Sequence, residues 1–132
     1  MTPFIANIIK QGCPTVDIGA PFIEILQTLA KAHTGTLVVV DKNRKVMGIL
    51  SERDIVRHLS RQKAVESCTA KNLMTKNIIS ADSKVTSSGL MALMVQNNIR
   101  HVPIINDGEL LGLVSITDVI TRLLDKQLKE TE

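Results

Sequence analysis

The chain has 132 residues, 44% of them hydrophobic and 22% charged, with a net charge of +3 and a pI near 9.0. This is the composition of a soluble globular fold long enough to bury about two-thirds of its unfolded surface. Aromatics are 2%, with no Trp or Tyr. That excludes an aromatic platform for stacking bases.

Charge and length patterns narrow the class further. No basic run of the kind that coats DNA occurs, and Lys42, Arg44 and Lys45 sit in a short polar loop, so nucleic acid is not an expected partner. No apolar run approaches the ~18 residues of a membrane span. Lys10 and Gln11 interrupt the N-terminal apolar patch, so a leader peptide is not expected either. Cys13 and Cys68 form no C-x-x-C pair and read as free thiols of a cytoplasmic protein.

In chain order, a short helical lead-in is expected over Phe4 to Lys10, then an extended segment at Thr15-Val16. Phe22, Ile25, Leu26 and Leu29 follow at i, i+3, i+4 and i+7, one face of a helix. Leu37 to Val40 is a β-branched apolar strand, Asp41 to Lys45 a turn, and Val46 to Leu50 its hairpin partner. The strand ends in Ser51-x-x-Asp54, which opens a helix. Arg61 to Thr69 reads as a polar linker.

The series then repeats. A lead-in covers Ala70 to Thr75, an extended segment Ile78-Ile79, and a helix carries Leu90, Met91, Met94 and Val95 on one face. The methionines there are core filler rather than a metal or cofactor box. Val102 to Ile105 and Leu110 to Val114 form a hairpin across Asp107-Gly108, a strong turn signal. Pro103 is expected at an edge or a strand start. Ser115-x-x-Asp118 opens the last helix, and Asp125 to Glu132 extends it as a fraying tail.

Shifting the sequence by 65 residues aligns Asn7, Asp17, Ile25 and Leu29 with Asn72, Asp82, Leu90 and Met94. After one deletion in the turn, a shift of 64 aligns Gly48, Ser51 and Asp54 with Gly112, Ser115 and Asp118. The expected class is α+β, built from tandem β-α-β-β-α repeats. The expected boundaries are 1–60 for the first repeat, 61–69 for the linker and 70–132 for the second repeat with its tail.

Ser-x-x-Asp at a strand-to-helix junction has two readings. It can be a helix cap, with Ser as N-cap and Asp at the third helical position. It can also be a ligand site, since the junction exposes backbone N–H groups at a positive helix end. Two copies at matching positions favour a site. No nucleophile with a neighbouring base, no metal-ligand cluster and no phosphate-binding glycine loop occurs, so catalysis is not expected.

GILSERDIVR (48–57), GLVSITDVI (112–120), IRHVPII (99–105) and NLMTKNIIS (72–80), with IIKQG (8–12) and GTLVVVD (35–41), resemble the CBS-domain pair, the tandem module named after cystathionine β-synthase. The resemblance covers nearly the whole chain. It implies an intramolecular pair with pseudo-twofold symmetry, also called a Bateman module. It implies clefts for an adenine-bearing ligand: AMP, ADP, ATP, S-adenosylmethionine or NAD(H), with no metal required.

On that pattern Asp54 and Asp118 accept from a ribose diol, and Ser51 and Ser115 add hydroxyls. Backbone at Thr15, Val16 and Asp17, and at Ser80, Ala81 and Asp82, meets the adenine. Strand residues Thr36, Val38, His101 and Pro103 close the pocket. Arg53, Arg100 and His101 are phosphate candidates.

The halves differ. Gly35-Thr36 replaces Arg100-His101, and Thr117 replaces Arg53, so two clefts of unequal affinity are expected. Lys10 and Arg53 are the substitutes available to the first repeat. His33 and His58 match no motif and are read as surface residues. The expected role is regulatory, passed to an effector protein. The alternative is a structural dimerisation module without ligand. A homodimer is expected, with Ile55, Val56, Leu59, Val119, Ile120 and Leu123 as the positions meeting a second chain.

Overall fold

The computed structural model describes residues 1–32, 34–61 and 64–131, with side chains through 126. His33, read above as a surface residue, lies outside the described residues, as do Gln62 and Lys63 of the linker and the side chains of the tail beyond 126.

The chain forms two compact units, and these do not follow the sequence repeat. One is Cys13–Ile78; the other joins Met1–Gly12 to Ile79–Glu132. Each lead-in helix thus packs in the unit made mostly by the other repeat. The sequence repeat and the compact unit are different divisions of one chain.

In the Cys13–Ile78 unit, β1 (Thr15–Asp17) pairs parallel with β2 (Thr36–Val40), and β2 antiparallel with β3 (Val46–Ser51). Helices α2 (Phe22–Lys31) and α3 (Glu52–Ser60) flank them, followed by a 3-10 turn (Val65–Ser67) and the short α4 (Ala70–Leu73). Leu37 and Val39 alternate toward a core with Ile25, Leu29, Leu50, Ile55 and Leu73, the period-2 pattern of a strand face. Leu26 departs from the expected apolar face and is 38% exposed. Its neighbours Ile25 and Leu29 already fill the seam.

The linker is not a free tether. Val65 is fully buried in that same core. A single valine in a polar stretch carries no periodicity, so the sequence offers no signal for its burial. His58 also departs from the surface reading. It is half-buried, and its Nδ1 is buried without a hydrogen-bond partner among the described residues.

In the other unit, α1 (Pro3–Lys10) starts with Thr2 as N-cap, whose Oγ1 accepts from the Ile5 N–H at 3.2 Å, and with Pro3 in the first turn. Proline is pre-organised there and loses no needed donor. Phe4, Ile5 and Ile8 bury one face of α1 against Leu90, Met94, Val102, Ile104, Val114 and Val119. These come from α5 (Ser87–Asn97), β4 (His101–Asn106), β5 (Glu109–Ser115) and α6 (Ile116–Thr131). Val95, expected on the apolar face of α5, is instead 71% exposed.

The glycine that opens each repeated motif is explained by the lead-ins. A Cβ at Gly112 would lie 3.1 Å from Ile8 Cγ2 of α1. A Cβ at Gly48 would lie 2.7 Å from both Met74 Sδ and the Thr75 carbonyl oxygen. Each lead-in crosses the hairpin strand where a side chain is missing.

Pro103 is on an edge strand, as expected, since β4 pairs only with β5 in a two-stranded sheet, but it is not at the strand's start. It is the third residue of β4, opposite Leu113, and its carbonyl accepts from the Ala81 N–H at 3.1 Å. The aligned Val38 donates its N–H to the Pro14 carbonyl at 3.0 Å; proline has no N–H to give. The consequence falls on the segment alongside. The expected extended segment at Ile78-Ile79 forms no strand, and pairing there shrinks to a single parallel bridge, Ala81 to Ile104.

Of the positions expected to meet a second chain, Ile55 and Val119 are buried within their own units, and Leu123 packs partly against its core. Val56, Leu59 and Ile120 are exposed.

Candidate functional site: two serine–aspartate helix starts

Both Ser-x-x-Asp motifs form complete capping boxes. At α3, the Asp54 N–H donates to Ser51 Oγ at 3.3 Å, while the Ser51 N–H and hydroxyl donate to Asp54 Oδ2 at 2.8 and 3.1 Å. At α6, the Asp118 N–H donates to Ser115 Oγ at 3.1 Å, and the Ser115 N–H and hydroxyl both reach Asp118 Oδ2 at 2.9 Å. Each box satisfies two backbone donors, and the first helical N–H groups, of Glu52 and Ile116, donate across the hairpins to the Gly35 and Arg100 carbonyls at 3.0 and 2.8 Å. The cap reading of the sequence therefore holds in both copies, and what separates the copies is the other carboxylate oxygen.

Asp54 is buried, and its Oδ1 has two partners. The Thr75 hydroxyl donates to it at 3.2 Å, and Arg57 Nη1 lies 3.6 Å away. Asp118 is half-buried, and Oδ1 carries no part of its cap. It lines a cavity of about 250 Å³ between α1 and α6, together with Asn7 of α1, Gln11 just after it, and Arg122 and Asp125 of α6. Sequence reasoning singled out none of Thr75, Arg57, Gln11 or Arg122. Arg57 and Arg122 reach the aspartates by helical spacing, at i+3 and i+4; Thr75 and Gln11 do so only through the unit each lead-in joins, which no local pattern encodes.

The remaining candidates fall as follows. In the Cys13–Ile78 unit, Thr36 is opposite Ser51 across β2 and β3, and Thr15 opposite Val38 across β1 and β2. Thr36, Val16 and Val38 are buried and Arg53 is exposed. Asp17 Oδ2 accepts from the Gly19 N–H at 2.8 Å, so this side chain shapes its own turn.

In the other unit, His101 is opposite Ser115 across β4 and β5. Burial pushes the His101 imidazole below its ordinary pKa; the nearby Asp118 charge opposes this and Arg100 adds to it. Ser115, Asp118 and His101 are thus brought together, with Arg100 exposed beside them. Pro103 is buried, Thr117 and Ser80 are exposed, and Ala81 makes the single bridge. Asp82 Oδ1 accepts from the Lys84 N–H at 2.8 Å, another local turn.

Burial raises the Cys13 thiol to about 11 against the pull of Arg44, so at neutral pH it is protonated and a poor nucleophile. Among the described residues, no cluster of three or more His, Cys, Asp or Glu could hold a metal, and no helix is long and apolar enough to cross a membrane.

A duplicated β-α-β-β-α module, with an aspartate closing the cap of each final helix, defines a tandem α+β protein. The chain belongs to the CBS domain family: the CBS domain model matches residues 5–61 and 70–125. It is 38% identical over 105 residues to an uncharacterized 17.7 kDa protein of Acidianus ambivalens, covering 77% of this chain and 62% of that one. The chain thus spans less than two-thirds of that relative's length.

The CBS-domain containing protein ATU1752 from Agrobacterium tumefaciens superposes with a TM-score of 0.79 at 30% identity, covering 89% of this chain and 90% of that one. The CBS domain pair of protein MJ0100, in complex with 5′-methylthioadenosine and S-adenosyl-L-methionine, superposes with a TM-score of 0.80 at 26% identity, covering 93% and 96%.

Proposed function

We propose that this chain is a regulatory module that binds an adenosyl ligand, drawn from AMP, ADP, ATP, NAD(H) and S-adenosylmethionine, and acts on an effector protein rather than catalysing a reaction. The observation that carries this is Asp118. Asp118 is one of the residues lining a cavity of about 250 Å³, and its Oδ1 takes no part in the cap. A carboxylate oxygen suits the vicinal hydroxyls of ribose, and such charge-assisted bonds are about twice as strong as neutral ones. The MJ0100 pair, solved with two adenosyl ligands, supports the same ligand class.

In this reading Ser115 supports the ribose, Arg100 and His101 meet a phosphate or a carboxylate, and the backbone of Ser80, Ala81 and Asp82 borders the base. Arginine gives the bidentate geometry that phosphate needs. Ser51, Arg53, Asp54, Thr36 and Val38, with Thr15 to Asp17, form the corresponding half-site. The exposed Val56, Leu59 and Ile120 support a homodimer.

A structural module without ligand is the second reading, favoured by the two capping boxes, which account for both serines and one oxygen of each aspartate. Thermal-shift screening of stripped protein against AMP, ADP, ATP, NAD, NADH and S-adenosylmethionine at millimolar concentration separates the two. A ligand at one hundred times its Kd adds about 2.7 kcal/mol, a shift of several degrees. No shift from any of the six would establish the structural reading. Light scattering should give twice the chain mass of 14.5 kDa.

A further inference from the structure

We infer that the Asp54 half-site is closed by the chain's own side chains, and that Thr75 with Arg57 decides which half-site an adenosyl ligand takes. This rests on the adenosyl reading above. The two aspartates are equivalent in sequence and in their caps, but their surroundings are not. Asp54 Oδ2 receives the Ser51 N–H and hydroxyl; Oδ1 receives the Thr75 hydroxyl at 3.2 Å and faces Arg57 Nη1 at 3.6 Å. Each carboxylate oxygen offers about two acceptor sites. Three of these accept hydrogen bonds, Arg57 covers the side of the fourth as an ion pair, and the residue is 7% exposed. A ribose diol has to displace Thr75 or Arg57 before it can bond.

Thr75 is not easily displaced. Its N–H donates to the Ile49 carbonyl at 2.7 Å, and its own carbonyl accepts from the Ile49 N–H at 3.0 Å. Both bonds fix the Thr75 backbone against β3, which places its side chain, although exposed, with the hydroxyl 3.2 Å from Asp54 Oδ1. Arg57 is half-exposed, and by itself such an ion pair contributes little; its part is to cover the open side of Oδ1 with a charge that a ribose hydroxyl has to move aside.

The other repeat has neither device. The shift of 64 puts Thr121 where Arg57 is, and the shift of 65 puts Lys10 where Thr75 is. Thr121 carries no charge, and Lys10 lies within the last turn of a continuous helix. The same Ser-x-x-Asp motif is therefore self-occupied in one copy and borders a cavity in the other.

Titration calorimetry with AMP and with 5′-methylthioadenosine tests this. Wild type should bind about one equivalent per chain, with any second site at least about tenfold weaker. Thr75→Val combined with Arg57→Met should raise the count to two. Thr75→Ser, which keeps the hydroxyl, should stay at one. Two equivalents of equal affinity in wild type, or one equivalent in the double variant, would overturn the inference while leaving the adenosyl reading intact.

A ligand-free arm keeps the two ideas separable. In apo protein, Thr75→Val should lower the melting temperature in the wild-type background and leave it unchanged in an Asp54→Ala background. Equal drops in both backgrounds would refute the Thr75–Asp54 contact even if neither probe bound.

Discussion

Replacing Gly48 with Ala should destabilise the protein far more than replacing Gly112 with Ala, although the two glycines are equivalent in the repeat. At Gly48 the added Cβ would stand 2.7 Å from Met74 Sδ and 2.7 Å from the Thr75 carbonyl oxygen. The thioether can rotate away; the carbonyl cannot, because it accepts from the Ile49 N–H at 3.0 Å. The segment must move off β3, stretching both Ile49–Thr75 bonds and the Thr75 hydroxyl contact to Asp54. Overpacking costs about 1–3 kcal/mol, and a weakened hydrogen bond about 0.5–1.5 kcal/mol. The smaller unfolded-state entropy of Ala returns about 0.4–1 kcal/mol.

These terms centre on a net loss of about 2 kcal/mol for Gly48→Ala. At Gly112 the nearest atom is the Ile8 Cγ2 methyl at 3.1 Å, with the Ile8 carbonyl oxygen at 3.5 Å. A side-chain adjustment relieves that contact, and the net should lie within about 1 kcal/mol of zero. Urea unfolding of both variants, read as midpoint at constant slope, is the assay. Equal losses, or a larger loss at Gly112, would refute the account of how the lead-ins cross the hairpins.

Val65→Ala should cost about 1.5–3 kcal/mol, the worth of a buried valine side chain, while Val56→Ala, on an exposed side chain, should stay within about 0.5 kcal/mol; denaturant midpoints decide whether the linker is part of the core. The depressed His101 pKa means that the unfolded chain binds a proton more readily than the folded one. His101 therefore takes stability away as pH falls through the unfolded value near ~6.5. Between pH 7 and 5 the wild type should lose more stability than His101→Asn, and an NMR titration should place His101 below the ordinary histidine value; a higher value would refute the burial argument.

The repeat, the hairpins and the Ser-x-x-Asp starts are local patterns, so the sequence displays them directly. What it hides is non-local. Phe4, Ile5 and Ile8 show an apolar helix face, but nothing in that face says which unit will cover it. Pro103 forbids a donor and so points to an edge, without saying that the segment beside it keeps a single bridge, Ala81 to Ile104. The burial of Val65 and the exposure of Leu26 and Val95 were equally out of reach, since each depends on what packs across from it.

The candidate site was legible to a similar depth. Asp54 and Asp118 could be paired by alignment. The difference between them, a threonine clamped over one carboxylate and a cavity beside the other, appears only once the lead-ins are placed.

The most direct measurement of the central claim is calorimetric binding of AMP and S-adenosylmethionine to Asp118→Asn, beside its apo unfolding midpoint. Asparagine keeps the size and an acceptor oxygen but removes the charge. The account predicts that affinity falls by about 1.5–3 kcal/mol, the worth of a hydrogen bond to a charged group, with the apo midpoint lowered only slightly. Affinity equal to wild type, with the apo midpoint clearly lowered, would contradict it and leave Asp118 as a helix cap alone.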